Sequence, residues 1–137
     1  MNMNFKMNTL AIFVVSLVIL GLCSADDEKT TRNEEIALSF YKCVACGGDK
    51  VLKAYEKCRD LKSGNTKNIT EECVAKELPE EVIEGDKRWK YYCENPAMIS
   101  KVYECFYDYY KTLTDEDKAS ILKFQECAND VKAKYCK

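Results

Sequence analysis

Cysteine, which can act as a nucleophile, a metal ligand or a disulfide partner, is abundant in this sequence. Nine cysteines occur among 137 residues, whereas histidine, the usual general base and commonest neutral metal ligand, is absent. Ser-His and Cys-His nucleophile pairs therefore cannot form. The carboxylates of Glu71-Glu72 and of 115–117 are accounted for by the helix starts they occupy, and adjacent helical residues point about 100° apart. We expect no enzymatic activity, no metal and no cofactor.

The chain has one Cys-x2-Cys knuckle, Cys43-Val-Ala-Cys46. A zinc site pairs such a knuckle with a second one or with histidines, which this chain lacks. A thioredoxin-like redox motif places the knuckle directly after a strand, whereas this one lies in a helical pattern. We therefore interpret both cysteines as disulfide partners.

The first 25 residues have the layout of a secretory signal peptide. Lys6 precedes an apolar run at 9–22, and Ala25 ends a cleavage site of small residues. The run of 14 residues is shorter than the roughly 20 that a membrane span needs. A bacterial lipoprotein would require a small residue before Cys23, where Leu22 stands. We expect cleavage after Ala25 and secretion to the extracellular space, with no membrane span.

Eight cysteines remain after cleavage, and an even number in a short secreted chain predicts a disulfide framework. Eight cysteines allow 105 pairings, among which the sequence alone does not choose. Two cysteines three apart in a helix are expected to reach different partner helices rather than each other. The eight are Cys43, Cys46, Cys58, Cys73, Cys93, Cys105, Cys127 and Cys136.

The charge balance bears on the class of partner. Cleavage removes one lysine, so the formal net charge changes from −2 to −3. A chain with this balance has no strong basic patch, and binding to nucleic acid or to an anionic membrane surface by charge is not expected.

Apolar residues at helical spacing predict two helices in the first half of the mature chain. The first begins at the capping box Thr31-Arg-Asn-Glu34 and ends at Gly47-Gly48. The second has Asp49 as its cap, and its buried stripe extends to Leu61.

A polar loop is expected to follow. It includes Ser63 to Lys67 and the sequon Asn68-Ile69-Thr70, which makes Asn68 a possible glycosylation site. A short helix then begins at Thr70 and stops before Pro79.

Three further helices are predicted in the second half. One spans Asp86 to Glu94 and carries Trp89, the single tryptophan, as a core anchor or, alternatively, as a ligand-stacking or interface residue. The next has Pro96 at its first position, and the last begins at Thr114.

The expected fold class is therefore all-α, a compact bundle of about five to six short helices cross-linked by four disulfides. Most of the cysteines fall on the buried stripes, so the helical periodicity and the expected disulfides indicate the same fold. We divide the chain into a signal peptide at 1–25, a flexible acidic N-terminal arm at 26–33 and one domain at 34–137.

The helix from Pro96 carries five aromatic residues within 103–110, which cannot all point inward. Either its tyrosines cover the boundary of the core, or they form a contact surface for a protein partner, since tyrosine is enriched at such surfaces. The residues of this candidate surface are Tyr103, Tyr107, Tyr110, Lys101 and Lys111.

An alternative function is the transport of a small apolar ligand or lipid, because helices held apart by disulfides can enclose a cavity. The same residues would serve an ordinary dry core. The candidate lining residues are Phe40, Tyr55, Trp89, Val102, Phe106 and Phe124.

Two families have partly similar cysteine spacing. Cys127-x8-Cys136 resembles the last pair of the insect odorant-binding proteins, helical carriers of apolar ligands whose Cys-x3-Cys pair is absent here. Three features together resemble a saposin, a lipid-binding helical fold: the knuckle, Cys93-x11-Cys105 and a terminal pair. In saposins the segment that corresponds to the gap from Cys46 to Cys93 is shorter. The saposin resemblance implies the pairs Cys43–Cys136, Cys46–Cys127, Cys93–Cys105 and Cys58–Cys73.

The whole chain is similar in style to secreted arthropod proteins of venom, saliva or glands. Those proteins combine a strong signal peptide and a short acidic leader with a helical body rich in lysine and tyrosine and held by four bridges. The resemblance implies a secreted, monomeric, non-enzymatic effector that binds a protein target.

Overall fold

A computed structural model describes residues 33–137, of which 36–137 form one compact unit. The expected signal peptide, nearly all of the N-terminal arm and the capping residue Thr31 lie outside the described residues. The structure confirms the all-α fold class, since residues 33–137 contain six α-helices and no strand. They are α1 (33–46), α2 (Asp49–Arg59), α3 (Gly64–Glu77), α4 (Gly85–Glu94), α5 (Ala97–Asp108) and α6 (Asp115–Tyr135).

The helix starts follow local chemistry in most places. Thr114 forms a capping box with Asp117 at the start of α6, where the backbone N–H of each donates to the side chain of the other. Pro96 is the N-cap of α5, one position before the first helical position at which we predicted it. Gly48 caps α2 without a side-chain bond, so Asp49 lies inside the first turn and is not the cap that we predicted.

The start of α3 corrects the sequence prediction. We expected a loop from Ser63 to Lys67 and a helix from Thr70, whereas α3 already begins at Gly64. The side chain of Ser63 accepts a bond from the backbone N–H of Thr66, and it donates to Asp117 of α6. This tertiary bond stabilises a helix start that precedes the apolar stripe, so periodicity did not detect it.

Buried side chains form two hydrophobic cores. The first core lies between α1, α2 and α6, and the second lies between α3, α4 and α5. Trp89 packs against both, and its ring contacts Tyr55 of the first core and Tyr92 of the second, with centroids 5.1 and 5.5 Å apart. The predicted stripe residue Leu61 is 45% exposed and belongs to neither core, because it follows the end of α2.

Four disulfides join the helices, as predicted. Cys43 and Cys46 reach different helices, which is also as predicted. The pairs are Cys43–Cys136, Cys46–Cys93, Cys58–Cys127 and Cys73–Cys105. Of the pairs that the saposin resemblance implies, Cys43–Cys136 is present and the other three are not. The arrangement of helices brings α2 to α6 and α3 to α5, so their cysteines pair accordingly.

Candidate functional site

Three tyrosines of the predicted contact surface form a continuous stack, here called the tyrosine ladder (Tyr103, Tyr107 and Tyr110). The rings of Tyr103 and Tyr107 have centroids 6.0 Å apart at an interplanar angle of 24°. Those of Tyr107 and Tyr110 are 5.6 Å apart at 12°. Steps of four and three residues place the three rings on one side of the helical path, which explains the stacking.

The side of α5 that faces away from the ladder packs into the second core and fixes the orientation of the helix. Val102 and Cys105 are buried in the second core, and Cys105 is bonded to Cys73 of α3. Within the ladder, Tyr110 packs against the second core while Tyr107 is 49% exposed. The disulfide and the core therefore hold rigidly a segment whose middle tyrosine faces solvent.

The two predicted lysines differ in position. Lys111 is exposed and directly follows the ladder residue Tyr110. Lys101 is also exposed, but at about 100° per residue it lies about 160° around α5 from Tyr103. The helix geometry thus places Lys101 on a different flank from the ladder.

Lys118 and Leu122 of α6 were not selected from the sequence: Lys118 contacts the ladder, and Leu122 is an exposed residue one helical turn further along α6. The ammonium group of Lys118 lies 5.1 Å from the ring centroid of Tyr110, within cation–π distance. Leu122 follows one helical turn later and is 62% exposed. Leu122 is not among the residues of α6 that repeat at helical spacing on its apolar face. A leucine on the polar face was therefore the sequence signal that could have identified it.

The residues proposed to line a ligand cavity are divided between the two cores. Phe40, Tyr55 and Phe124 belong to the first core, where Tyr55 contacts both rings at 6.1 and 5.9 Å and also contacts Trp89. Val102 belongs to the second core, with Phe106 packed against it. These three aromatic rings pack against Tyr55, so these contacts do not support the carrier function.

The strongest carboxylate contacts join helices. Glu71 of α3 accepts two bonds from Arg88 of α4, at 2.7 and 3.0 Å, and one from Arg59 of α2 at 3.2 Å. The bonds from Arg88 come first among the causes that hold the pKa of Glu71 below its usual value. Both arginines are thus occupied by one carboxylate that ties three helices together.

Asp117 is the second such carboxylate. Its oxygens accept bonds from Ser63 at 2.7 Å and from Asn65 at 2.9 Å, and these bonds lower its pKa to about 2. The residue is buried where the starts of α3 and α6 meet, so its charge is matched by donors of both helices. Residues 33–137 contain no group of three or more ligating side chains that could hold a metal ion.

The sequon residue Asn68 lies in α3 and not in the loop that we predicted. Its side chain is exposed, whereas the next residue, Ile69, is buried in the second core. The Thr70 hydroxyl donates to the carbonyl of Thr66 within the helix. A glycan on Asn68 would therefore project into solvent from the surface of α3.

None of the helices in the described part of the chain is long and apolar enough to cross a membrane. No curated protein and no solved structure matches the chain. One family model does match, over residues 31–137, and its description is U10-hexatoxin-Hi1a. The match covers all six helices and all eight cysteines of the disulfide framework. The chain therefore belongs to the Hi1a-like family, a toxin-like family of cysteine-rich proteins.

Proposed function

We propose that this protein is a secreted, non-enzymatic, toxin-like effector that binds a protein target as a monomer. Membership of the Hi1a-like family and the four disulfides support secretion and a toxin-like role. The absence of histidine and the use of Glu71 and Asp117 in ties between helices support a mode of action by binding.

The tyrosine ladder is the observation that carries the proposed binding site. Tyrosine offers a large contact area with few rotatable bonds, and it is enriched among residues that dominate binding energy. The stacking of Tyr107 between two other rings at 6.0 and 5.6 Å restricts its rotamers before any partner binds. A preorganised side chain loses less conformational entropy on binding, so the ladder favours a tight interface.

The ladder continues across the start of α6. Lys118 covers the ring of Tyr110, and Leu122 adds an exposed apolar side chain one turn further along. Lys111 supplies an exposed positive charge beside the stack. The proposed surface consists of the ladder, Lys111, Lys118 and Leu122, and Lys101 is not part of it.

Binding to insect nerve-cord membranes and to haemolymph proteins would test the proposed function. The protein is secreted from a eukaryotic host and labelled at its N-terminus, since iodination would modify the tyrosines. We expect saturable binding that unlabelled protein displaces. Protease treatment of the preparation should abolish it, and vesicles made from the extracted lipids should not reproduce it.

Two tyrosine variants locate the surface. Tyr107→Ser should weaken binding about tenfold or more, because a ladder residue is proposed to be a dominant contact. Tyr135→Ser is the matched control, since Tyr135 is also partly exposed and, like the ladder residue Tyr110, lies under a lysine, with Lys134 at 5.3 Å from its ring centroid. Equal binding of both variants would show the ladder to be the wrong site. Absence of saturable binding to either preparation would count against the proposed function itself.

A further inference from the structure

One disulfide differs from the others in what it joins. Cys43–Cys136 and Cys58–Cys127 connect helices of the first core, and Cys73–Cys105 connects helices of the second. Cys46–Cys93 runs from α1 of the first core to α4 of the second. Among the four disulfides of residues 33–137, it is the one covalent bridge between the two cores.

The same bridge also differs in its exposure to solvent. Cys46 is exposed at the end of α1, and it is the one exposed cysteine of the eight in residues 33–137. Cys58 and Cys73 are completely buried, and Cys105 is nearly so. A thiolate must reach a sulfur atom to cleave a disulfide, so Cys73–Cys105, with both halves buried, reacts only after the surrounding structure opens. The two bridges within the first core have partly buried cysteines, and these are less exposed than Cys46.

We infer that Cys46 is a thiol-exchange site, at which a small external thiol cleaves the bridge between the cores while both cores stay closed. The incoming thiolate forms a bond to the sulfur of Cys46, and Cys93 leaves as a thiolate that takes a proton from water. A second thiolate attacks the sulfur that the first thiol contributed. This releases Cys46 as a thiolate and the two external thiols as their own disulfide, with two electrons passed to the protein.

The contacts that remain after exchange define the product. Each core keeps at least one disulfide of its own, so neither loses its covalent constraint. Noncovalent contacts also join the cores: Trp89 and Tyr41 pack against both of them, Glu71 of α3 pairs with Arg59 of α2, and Asp117 of α6 accepts bonds from Ser63 and Asn65. Trp89 lies one helical turn before Cys93 on α4, so its fluorescence reports the release of this bridge.

Partial reduction by glutathione tests this inference on the intact secreted protein. Samples are quenched at intervals with an alkylating agent and mapped by mass spectrometry of peptides. We expect the first species with two alkyl groups to carry them on Cys46 and Cys93, and to form about tenfold or more faster than later species. A first species alkylated at any other pair, or loss of all four bridges at once, would overturn the inference.

Paired variants separate exchange from a general loss of stability. Cys46→Ser with Cys93→Ser should retain the helical circular dichroism of the parent, shift the Trp89 emission and abolish the fast phase of reduction. Cys43→Ser with Cys136→Ser removes a bridge within the first core and should keep that fast phase. If the second variant loses the fast phase and the first keeps it, the assigned site is wrong.

Discussion

Gly47 and Val51 approach so closely that a side chain at Gly47 has no room. A Cβ atom built on Gly47 would lie 2.5 Å from Cγ1 of Val51 and 2.5 Å from the carbonyl oxygen of Cys43. Val51 is almost fully buried in the first core and cannot move aside without disturbing its packing. The glycine therefore permits the close turn from α1 to α2 that brings Val51 into the core.

Replacement of Gly47 by alanine should consequently destabilise the fold. We expect the free energy of unfolding to fall by about 1–3 kcal/mol, as for other overpacked positions, measured by urea denaturation. Gly64→Ala is the control, because nothing lies within 4 Å of a Cβ atom there. That variant should be neutral or more stable by up to about 1 kcal/mol. Equal stability of the two variants would contradict the steric argument.

Asp117 should make the protein sensitive to acid. Its hydrogen bonds hold the folded-state pKa at about 2, below the ordinary 3.8, so the carboxylate stabilises the fold above about pH 4. That contribution is lost as the pH falls through about 2. We expect Asp117→Asn to lower Tm at pH 7, with a difference from the parent that shrinks between pH 4 and pH 2.

Asp115→Asn provides the comparison at the same helix start, since Asp115 is exposed. Its Tm should follow that of the parent across the whole pH range. If Asp117→Asn were as stable as the parent at pH 7, the bonds that Ser63 and Asn65 donate to the carboxylate would contribute no more to stability than bonds to a neutral amide.

The sequence was most informative where a local signal specified a local structure. Thr114, with the acidic residues at 115–117, predicted the start of α6, and the glycines after Cys46 predicted the end of α1. The even number of cysteines predicted four bridges, which the structure confirms. Each helix end is specified by residues within a few positions of one another, and the number of bridges follows from the number of cysteines alone.

The wrong or missing predictions concern features that depend on contacts between residues distant in sequence. The early start of α3 depends on the bond between Ser63 and Asp117, which are 54 residues apart. The disulfide pairs depend on which helices become neighbours, and helical periodicity does not specify that. Lys118 joined the tyrosine ladder because α6 passes beside the end of α5, which the spacing of residues within one helix cannot reveal.

Tyr55 and Tyr107 should contribute very differently to stability. Tyr55 is buried and contacts the rings of Phe40, Trp89 and Phe124, so Tyr55→Ala should cost about 3–5 kcal/mol of unfolding free energy. Tyr107→Ala removes an exposed ring with two stacking contacts and should cost about 1 kcal/mol. Urea denaturation monitored by circular dichroism measures both. A loss at Tyr107 as large as that at Tyr55 would mean that the ladder is structural.

Asn68 is expected to carry a glycan when the protein is secreted from a eukaryotic host. Its exposed position on α3 leaves room for a large polar group, and the buried neighbour Ile69 is undisturbed. Treatment with an N-glycosidase should lower the mass of the parent and leave that of Asn68→Gln unchanged. An unchanged parent mass would show that the sequon is not used.

Lys62 should be a cost to stability at neutral pH. Its ammonium group lies 4.2 Å from the ring centroid of Phe124 and 5.7 Å from that of Phe106, where burial and then the charge of Arg59 lower its pKa to about 8. Because the ordinary pKa is 10.5, the unfolded chain holds this proton more tightly than the folded protein does. Stability should therefore rise as the pH increases from about 8 to about 10.5.

Lys62→Met tests this argument because methionine keeps the length of the side chain and removes the charge. The cation–π contacts favour the ammonium form and offset part of the burial cost, so we expect a gain of about 1–2 kcal/mol at pH 7. The gain should diminish toward pH 10, where the folded parent already holds a neutral amine. A variant less stable than the parent at pH 7 would show that the ring contacts outweigh burial, and that the charged lysine stabilises the junction of α2, α5 and α6.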